Sequence, residues 1–250
     1  MNNYKIGIIG LGYVGSAVHN FFKEFYDINT FDTNTNCNQA SIKELVHRSN
    51  IIFLCLPTPM NKDGSTHLDI LSNVISEIDE ISIDKNNKPY IVIKSTIPVG
   101  TTHSYINKYD NISILFNPEF LREASFNEDF KNQKRIILGS LDDNTPVHRL
   151  YKECFTSSEI CNTNPSTAEL VKYTTNCFLA TKVSFANEIK SFCNAKNINY
   201  EDVIKLATMD KRLGSSHWSV PGPDGKNGFG GSCFPKDIAS LIEQFQIENI

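Results

Sequence analysis

The stretch that decides the fold is KIGIIGLGYVG, residues 5–15, in which an apolar run ends in Gly10-Leu-Gly-Tyr-Val-Gly15. The apolar run predicts a buried strand, and apolar residues at helical spacing follow the third glycine. Glycines between a strand and a helix let backbone N–H groups approach a pyrophosphate at the helix N-terminus. Asp32 ends the next predicted strand, about 20 residues on, where a carboxylate accepts hydrogen bonds from an adenine ribose. The pattern predicts a dinucleotide site.

The residues beside Asp32 indicate which dinucleotide to expect. Thr33-Asn-Thr-Asn36 contains no arginine that would bind a 2′-phosphate, so NAD is favoured over NADP. The glycines alone are weak evidence, but a preceding strand, a following helix and an acid at this distance make the pattern specific. The alternative is a glycine turn that binds no ligand.

Short apolar runs alternate with helical patterns through the first part of the chain. The predicted strands are Lys5–Ile9, Ile28–Phe31, Ile51–Leu56, Tyr90–Lys94, Ile112–Phe116 and Arg135–Leu138. The helical patterns begin near Tyr13, Ser41, Leu68 and Thr101. Continuous Ile/Val runs alternating with helices predict a parallel sheet covered on both faces. The expected fold class is α/β, with a Rossmann-type doubly wound parallel sheet in a NAD-binding domain of residues 1–160.

After about residue 160 the predicted strands stop, and a smaller all-helical domain is expected in residues 161–250. Ser166-Thr-Ala-Glu169 resembles a capping box and opens a long helix that reaches about Lys196. A shorter helix is predicted from Tyr200 to about Met209. A loop rich in Gly, Pro and Ser follows over Leu213–Ser232, and the last helix begins at Pro235.

The overall composition restricts the class of protein. A formal charge of -4 over 250 residues, without a basic block, argues against nucleic acid or an acidic membrane surface as a partner. The seven cysteines form no CxxC and no Cys/His zinc spacing, so we expect no metal and a reducing, cytoplasmic location. No apolar run approaches membrane-spanning length.

One cysteine lies on a glycine-rich loop just ahead of the last predicted helix, in Gly228-Phe-Gly-Gly-Ser-Cys-Phe-Pro-Lys-Asp237. Cys233 should therefore lie at the positive end of a helix dipole, where a thiolate is favoured. This is how a covalent nucleophile is presented. A small cysteine buried in a tight turn fits the local sequence equally well.

Three segments follow predicted strands at the edge where open α/β sheets bind ligands. They are Leu56-Pro-Thr-Pro59, Ser95-Thr-Ile-Pro-Val-Gly100 and Asn117-Pro-Glu-Phe-Leu-Arg-Glu123. Proline turns that merely end strands are the alternative for the first two. In the third, Glu119 and Glu123 are four residues apart and would share a face of a helix, although solvated glutamates are the usual case.

A polar stripe lies on the long predicted helix. Glu169, Lys172 and Asn176 recur at positions i, i+3 and i+7. A lysine and an amide at this spacing would point at one oxygen as it gains negative charge. An exposed polar face is the alternative, and for Glu169 the capping box favours it.

These segments together resemble the UDP-glucose/GDP-mannose dehydrogenase family, whose members oxidise a nucleotide sugar twice to a uronic acid with NAD. The matching segments are Gly10–Gly15, Leu56–Pro59, Lys94–Thr96, Asn117–Glu123, Ala168–Asn176 and Gly228–Asp237. They occur in the family's order and cover the chain nearly end to end.

The resemblance implies a covalent two-step oxidation. Cys233 would hold the substrate as a thiohemiacetal and then as a thioester, which water cleaves. Lys172 and Asn176 would stabilise the oxyanion, Glu119 would serve as base for hydrolysis, and Asp237 with Thr96 would position water or manage protons.

The resemblance also implies binding residues. For NAD these are Gly10, Gly12, Tyr13, Val14, Gly15, Asp32, Pro57, Thr58, Ser95, Thr96, Glu123 and Lys236. For the nucleotide sugar they are Phe120, Leu121, Glu123, Lys172, Asn176, Arg212, His217 and Gly230. Arg212 and His217 lie in a loop similar to the family's sugar and nucleotide loop, where they would pair with phosphates; exposed surface positions are the alternative. Because the family's loop partly reaches across a dimer interface, the resemblance also implies a homodimer.

The resemblance favours UDP-glucose 6-dehydrogenase, an enzyme of polysaccharide biosynthesis. Family members usually continue into a C-terminal UDP-binding domain, which we expect to be absent from this chain because it ends at Ile250. NAD binding should then persist while nucleotide-sugar turnover is weakened. Two alternatives stay open, a single-step 6-phosphogluconate or 3-hydroxyacid-type dehydrogenase and a non-catalytic NAD-binding protein.

Overall fold

The structure is a computed structural model and describes residues 4–85 and 88–250. Within these residues, seven strands form one sheet. They are β1 (Ile6–Ile9), β2 (Ile28–Phe31), β3 (Ile51–Leu54), β4 (Tyr90–Ile93), β5 (Ser113–Phe116), β6 (Arg135–Gly139) and β7 (Glu159–Thr163). Their order in the sheet is β2-β1-β3-β4-β5-β6-β7. The sheet is parallel except where β6 meets β5, so the predicted sheet is confirmed as mostly rather than wholly parallel.

Helices connect the strands and follow the last of them. They are α1 (Tyr13–Phe22), α2 (Ile42–Arg48), α3 (Asp69–Ile81), α4 (Thr101–Lys108), α5 (Phe126–Lys131), α6 (Pro146–Cys154), α7 (Pro165–Lys196), α8 (Tyr200–Ala207) and α9 (Phe234–Ile247). Two short 3-10 helices cover Glu123–Ser125 and Lys211–Leu213.

Both faces of the sheet are buried, which explains why its strands are continuous apolar runs. Ile6 and Ile8 of β1 belong to one core cluster, with Phe22 among its members, and the next residue, Ile9, belongs to the other cluster, with Leu71. Since β1 lies between β2 and β3, the chain turns to opposite sides of β1 and opens a crevice beyond its carboxyl end. This is where doubly wound sheets bind ligands.

The chain forms two compact units, Met1–Lys172 and Tyr173–Ile250. The first contains the whole sheet, and the second contains the remainder of α7 with α8 and α9. The first unit extends to Lys172 because β7 pairs with β6 and Ala168 of α7 belongs to the core of that unit. The domain bounds 1–160 and 161–250 stay predictions.

Three elements were missed by the sequence analysis. Strand β7 pairs only with β6 and is half-exposed, so it lacks the apolar run of a central strand. Helix α5 is a single short piece of six residues. Helix α6 had a usable signal, because Thr145 is its N-cap and Pro146 its first residue.

The capping box proposed for α7 is wrong. The helix begins at Pro165, and the side chain of Asn164 accepts a hydrogen bond from the Ser166 amide at 2.9 Å. Glu169 is instead fully buried and accepts hydrogen bonds from the amides of Gly100 and Thr102 at 2.6 and 2.8 Å. The carboxylate thus satisfies N–H groups at the start of α4 from a distant part of the chain.

Candidate active site

The glycine loop after β1 has the shape of a dinucleotide cradle. Gly10 has a φ of 93°, and a Cβ on it would lie 2.4 Å from the Cys55 carbonyl oxygen. A Cβ on Gly15 would lie 1.8 Å from the Gly10 carbonyl oxygen, so neither position accepts a side chain. Gly12 is exposed at the N-cap of α1, and a Cβ there would meet no described atom within 4 Å. The loop is therefore closed toward the protein and open toward a ligand.

Asp32 lies just after β2 and is tied to the same loop. Its carboxylate accepts hydrogen bonds from the amides of Leu11 at 2.6 Å, Asn34 at 2.7 Å and Thr35 at 3.0 Å. Burial opposes ionisation, but these three N–H groups outweigh it and hold the pKa of Asp32 below its ordinary value. An ionised carboxylate beside an open glycine loop fits the ribose of NAD.

The loops after β3 and β4 are bound to each other. Thr58 donates its hydroxyl proton to the Thr96 carbonyl oxygen at 2.8 Å, and Ser95 donates to the Leu56 carbonyl oxygen at 2.6 Å. Pro57 is exposed between them. These two hydroxyls hold the loops together at the carboxyl edge of the sheet, on which the sequence analysis placed them.

A buried ion pair lies after β5. Lys172 Nζ lies 2.9 Å from Glu119 Oε1 and donates a second hydrogen bond to the Glu119 carbonyl oxygen at 2.6 Å. The other carboxylate oxygen accepts from the Leu121 amide at 2.7 Å. The Phe120 ring lies beneath Lys172 Nζ, 5.4 Å away. Two of the three Lys172 protons are thus directed at Glu119, and this fixes the direction of the third.

The charge of Lys172 controls the ionisation of Glu119. Burial by itself would raise the pKa of this carboxyl, but the ammonium of Lys172, the Leu121 amide and the charge of Lys94 together hold it below its ordinary value. Glu119 is therefore ionised at neutral pH, the state a proton acceptor requires.

Glu119 and Glu123 do not share a helical face, which corrects the sequence analysis. The chain is irregular from Asn117 to Arg122, and Glu123 begins a 3-10 helix with an exposed side chain. Pro118 and the buried side chain of Asn117 hold this segment in a non-helical path.

Tyr13, a predicted NAD contact on α1, is exposed, and its ring lies 5.6 Å from the Phe126 ring.

The second unit contains a different polar cluster. Asn176 donates its side-chain amide to Asp237 at 2.6 Å, and Lys236 Nζ lies 2.6 Å from the other Asp237 oxygen. Asp237 is completely buried in the first turn of α9. One of the two amide protons of Asn176 points at this carboxylate, and this sets the direction of the other.

Cys233 occupies the N-cap position of α9 and is only partly buried. Its carbonyl oxygen accepts a hydrogen bond from the Asp237 amide at 2.9 Å, which closes the first turn of the helix. The helix begins at Phe234, one residue before the predicted Pro235. The prediction of a cysteine at the positive end of a helix dipole is confirmed in its geometry.

The loop before Cys233 holds the remaining candidates. Arg212 is exposed and binds the carboxylate of Asp210 through two of its nitrogens, so its charge is paired within the loop. His217 lies with its ring 5.9 Å from that of Phe234. Gly230 is exposed, and the neighbouring Gly228 amide donates to the Asn187 side chain at 3.0 Å.

Two buried residues near Glu119 were not assigned a role from the sequence. Lys94 donates to the side-chain oxygen of Asn117 at 2.8 Å, and both side chains are buried. The available signal was a lysine at the end of the apolar run of β4, where a buried charge is unexpected.

The described residues contain no group of His, Cys, Asp or Glu side chains that could hold a metal ion. Nor does any helix in the described ranges have the length and apolar character needed to span a bilayer. Location in the cell and absence of membrane and nucleic-acid partners stay predictions.

Comparison with known proteins gives matches over most of the chain. The UDP-glucose 6-dehydrogenase of Rhizobium meliloti is 35% identical over 82% of this chain and 48% of its own length. The UDP-glucose 6-dehydrogenase of Haloferax volcanii is 30% identical over 95% of this chain and 64% of its own length. A UDP-glucose dehydrogenase structure from Pyrobaculum islandicum superimposes with a TM-score of 0.88 at 28% identity, over 100% of this chain and 65% of that one. The chain thus spans about half to two thirds of these relatives.

Two family models match consecutive parts of the sequence. Residues 27–157 match the NAD binding domain of the UDP-glucose/GDP-mannose dehydrogenase family, and residues 166–250 match its central domain. The Rossmann-type fold class and NAD as the cofactor are thereby confirmed at the level of the family. Together with the glycine loop, the Glu119–Lys172 pair and Cys233, these matches show that the chain belongs to the UDP-glucose/GDP-mannose dehydrogenase family.

Proposed function

We propose that this chain carries the dehydrogenase chemistry of an NAD-dependent UDP-glucose 6-dehydrogenase, which oxidises the C6 primary alcohol of the sugar to a carboxylate. The observation that carries the proposal is Cys233 at the N-cap of α9, in a family whose known members act on nucleotide sugars. A single-step hydroxyacid dehydrogenase needs no thiol, and a non-catalytic protein needs neither the thiol nor the buried Glu119–Lys172 pair.

NAD would be held by the glycine loop and Asp32. The backbone of Gly10, Gly12 and Gly15 leaves room for the pyrophosphate, and the ionised Asp32 accepts hydrogen bonds from the ribose. Tyr13, Val14, Pro57, Thr58, Ser95, Thr96, Glu123 and Lys236 complete the proposed cofactor contacts. When bound, NAD would supply the hydride acceptor that each of the two oxidations at C6 requires.

Cys233 would keep the intermediate on the protein between the two oxidations. Its thiolate adds to the aldehyde carbon, and the former carbonyl oxygen takes up a proton to give a thiohemiacetal. Loss of that proton and of the second hydride from the same carbon then leaves a thioester. Water then attacks the thioester carbonyl, the C–S bond breaks, and the carboxylic acid leaves as the Cys233 thiolate is restored.

The surrounding polar groups would act on the oxygen and on the water. Lys172 and Asn176 each present a proton in a direction set by a carboxylate, and these donors stabilise the oxyanion that both sulfur addition and hydrolysis create. Glu119, held ionised, takes a proton from the attacking water. Asp237 and Thr96 orient the water or pass protons.

UDP-glucose is the substrate we propose, with Phe120, Leu121, Glu123, Arg212, His217 and Gly230 as further contacts to it. The test is to supply the protein with NAD and, in turn, UDP-glucose, GDP-mannose and N-acetylated UDP-hexosamines. Two NADH per UDP-glucose and a uronic acid product are expected. One NADH per substrate would favour the single-step alternative, and NAD binding without NADH from any sugar would favour the non-catalytic one.

The Cys233→Ser variant tests the covalent route directly. Acid formation should be abolished, because an alcohol oxygen forms only a weak hemiacetal and an ester in place of the reactive thioester. Steady-state acid formation equal to that of the unmodified chain would rule out the thiol mechanism. Cys177→Ser is the matched control, since burial raises the pKa of that thiol to about 11 and keeps it protonated.

We further propose that the chain forms a homodimer through α7. Phe178, Phe185 and Phe192 recur every seven residues on this helix and are 67%, 55% and 58% exposed. A stripe with this period runs along a helix with a drift of only about 20° per heptad and suits a second copy of the same helix. Light scattering should give twice the 28.1 kDa chain mass, and Phe185→Asp should give a monomer. A monomeric unmodified chain would contradict this.

A further inference from the structure

Lys94 is a buried amine that the proposed chemistry does not use. Its side chain is 3% exposed, and it follows the last residue of β4 at the carboxyl edge of the sheet. Its Nζ lies 5.5 Å from the centre of the Phe130 ring, which belongs to one of the two core clusters. A methionine would fill this space without the cost of burying an ammonium group, so packing does not explain the lysine.

The amine is directed at a hub immediately before the candidate base. Asn117 Oδ1 accepts from Lys94 at 2.8 Å and from the Tyr151 hydroxyl at 2.5 Å. The Asn117 side-chain amide donates to the Ile137 carbonyl oxygen at 2.7 Å, and its backbone amide donates to Ile93 at 2.8 Å. The side-chain oxygen, side-chain amide and backbone amide of Asn117 are thus all hydrogen-bonded, two residues before Glu119.

Resting on the proposed function, we infer that Lys94 is a positioning residue for Glu119, whose buried positive charge keeps this carboxylate ionised while Lys172 engages the oxyanion. Glu119 carries one negative charge, and Lys172 and Lys94 together carry two positive charges in the same buried region. If Lys172 were the sole cation, any turn of its ammonium toward the substrate would weaken the electrostatic stabilisation of the ionised Glu119 carboxylate. A second cation, fixed by Asn117, removes this conflict.

The other titratable groups beside this site are Cys55, Tyr151 and Arg135, and none of them changes in the Lys94 variants. Burial raises the pKa of Cys55 to about 12 and that of Tyr151 well above its ordinary value, so both stay protonated. Arg135 lies over the Phe120 ring, 5.1 Å from its centre. Burial lowers the pKa of Lys94 to about 8, so this amine is charged throughout the acidic range in which Glu119 titrates.

The test is a direct titration of Glu119 in the full chain, which needs no turnover. Carboxyl carbons of glutamate are labelled with ¹³C, and the Glu119 resonance is identified by its loss in Glu119→Gln. In Lys94→Met the midpoint of Glu119 should rise, by less than loss of the Lys172 charge would raise it, since removing a positive charge disfavours the ionised carboxylate. Lys94→Gln, which keeps a hydrogen-bond donor toward Asn117 but not the charge, should give the same rise.

Tyr151→Phe is the matched control, because it removes the other hydrogen bond to Asn117 Oδ1 and changes no charge. Its Glu119 midpoint should stay at the unmodified value. An unchanged midpoint in both Lys94 variants, or an equal rise in Tyr151→Phe, would overturn the inference.

A kinetic readout separates this inference from the proposed function. With UDP-glucose, the acid limb of the kcat profile should move to higher pH in Lys94→Gln by the same amount as the Glu119 midpoint, while KM stays constant. If no nucleotide sugar is turned over, the proposed function fails, and the titration still decides the role of Lys94.

Discussion

Two buried polar clusters lie against α7, one in each unit, and they differ in how far they are closed to water. In the first, the side chains of Lys172 and Glu119 are 4% and 12% exposed. In the second, Asp237 is 1% exposed but its partner Lys236 is 20% exposed. The first cluster is a closed ion pair, whereas the second is a buried carboxylate whose lysine still reaches water. We take this difference to suit Glu119 to proton transfer and Asp237 to orienting Asn176.

The largest expected effect is on the free energy of unfolding. Its absence would contradict the difference described between the two clusters. Glu119→Gln leaves a nearly dry ammonium on Lys172 without its carboxylate, so we expect a loss of about 3–5 kcal/mol. Asp237→Asn should lose less, because Lys236 can turn into solvent. Urea unfolding followed by circular dichroism measures both. Equal losses would show that exposure of the remaining lysine does not matter.

The next effect is on turnover. Lys172→Ala should lower kcat for UDP-glucose about 10²–10³-fold, the loss typical of an oxyanion donor, while the NAD dissociation constant changes little. Lys190→Ala, on the same helix but paired with Glu201 at the surface, is the control and should keep full activity. A change confined to NAD affinity would mean that Lys172 belongs to the cofactor site.

The pH dependence of the free energy of unfolding also distinguishes the two clusters, because the first contains a second buried amine, Lys94, and the second does not. Burial lowers the pKa of Lys94 from 10.5 to about 8. The folded chain therefore binds fewer protons than the unfolded chain between these values, and the free energy of unfolding should rise with pH across this window. The Lys94 contribution is about 3 kcal/mol. This contribution is measured as the difference in the free energy of unfolding between the unmodified chain and Lys94→Met. The Lys94→Met variant should be the more stable of the two at pH 7. An unchanged pH slope in the variant would contradict the assignment.

The smallest expected effect concerns a third carboxylate on α7. Glu169 accepts hydrogen bonds at the start of α4 and contacts no lysine in the hydrogen bonds described above. Glu169→Gln replaces one acceptor oxygen with a donor and should cost about 1 kcal/mol, the usual value of a lost cap. Thermal unfolding measures it, with the exposed Glu188→Gln as control. Loss of activity without loss of stability would show that Glu169 belongs to the chemistry.

Local features were the most predictable part of the fold. Strands β1 to β5 lie within two residues of their predicted bounds, and helices α1 to α4 begin within one residue of their predicted starts. Apolar runs, glycine turns and caps are encoded next to the elements they define. Strand β7 was not predicted from the sequence, because an edge strand needs only one partner strand and can carry polar residues such as Asn162.

The sequence predicted which residues form the candidate site, but not the hydrogen-bond and ion-pair partners of their side chains. Glu169 was explained by a nearby serine, yet its partners are Gly100 and Thr102, far away in sequence. Arg212 was considered for phosphate, and in the structure it binds Asp210. Such pairs depend on which backbone segments meet, and a single sequence does not contain that information.

The sequence by itself determined the glycine loop with Asp32, the alternation of strands and helices, and a cysteine at the start of the last helix. Each of these follows from neighbouring residues through sterics, hydrogen-bond geometry or the helix dipole. Only the tertiary structure decided that Lys172 is held by Glu119, Asn176 by Asp237, and Asn117 by Lys94. Buried charges and amides must find partners wherever the fold brings them, so their pairing is a property of packing rather than of local sequence.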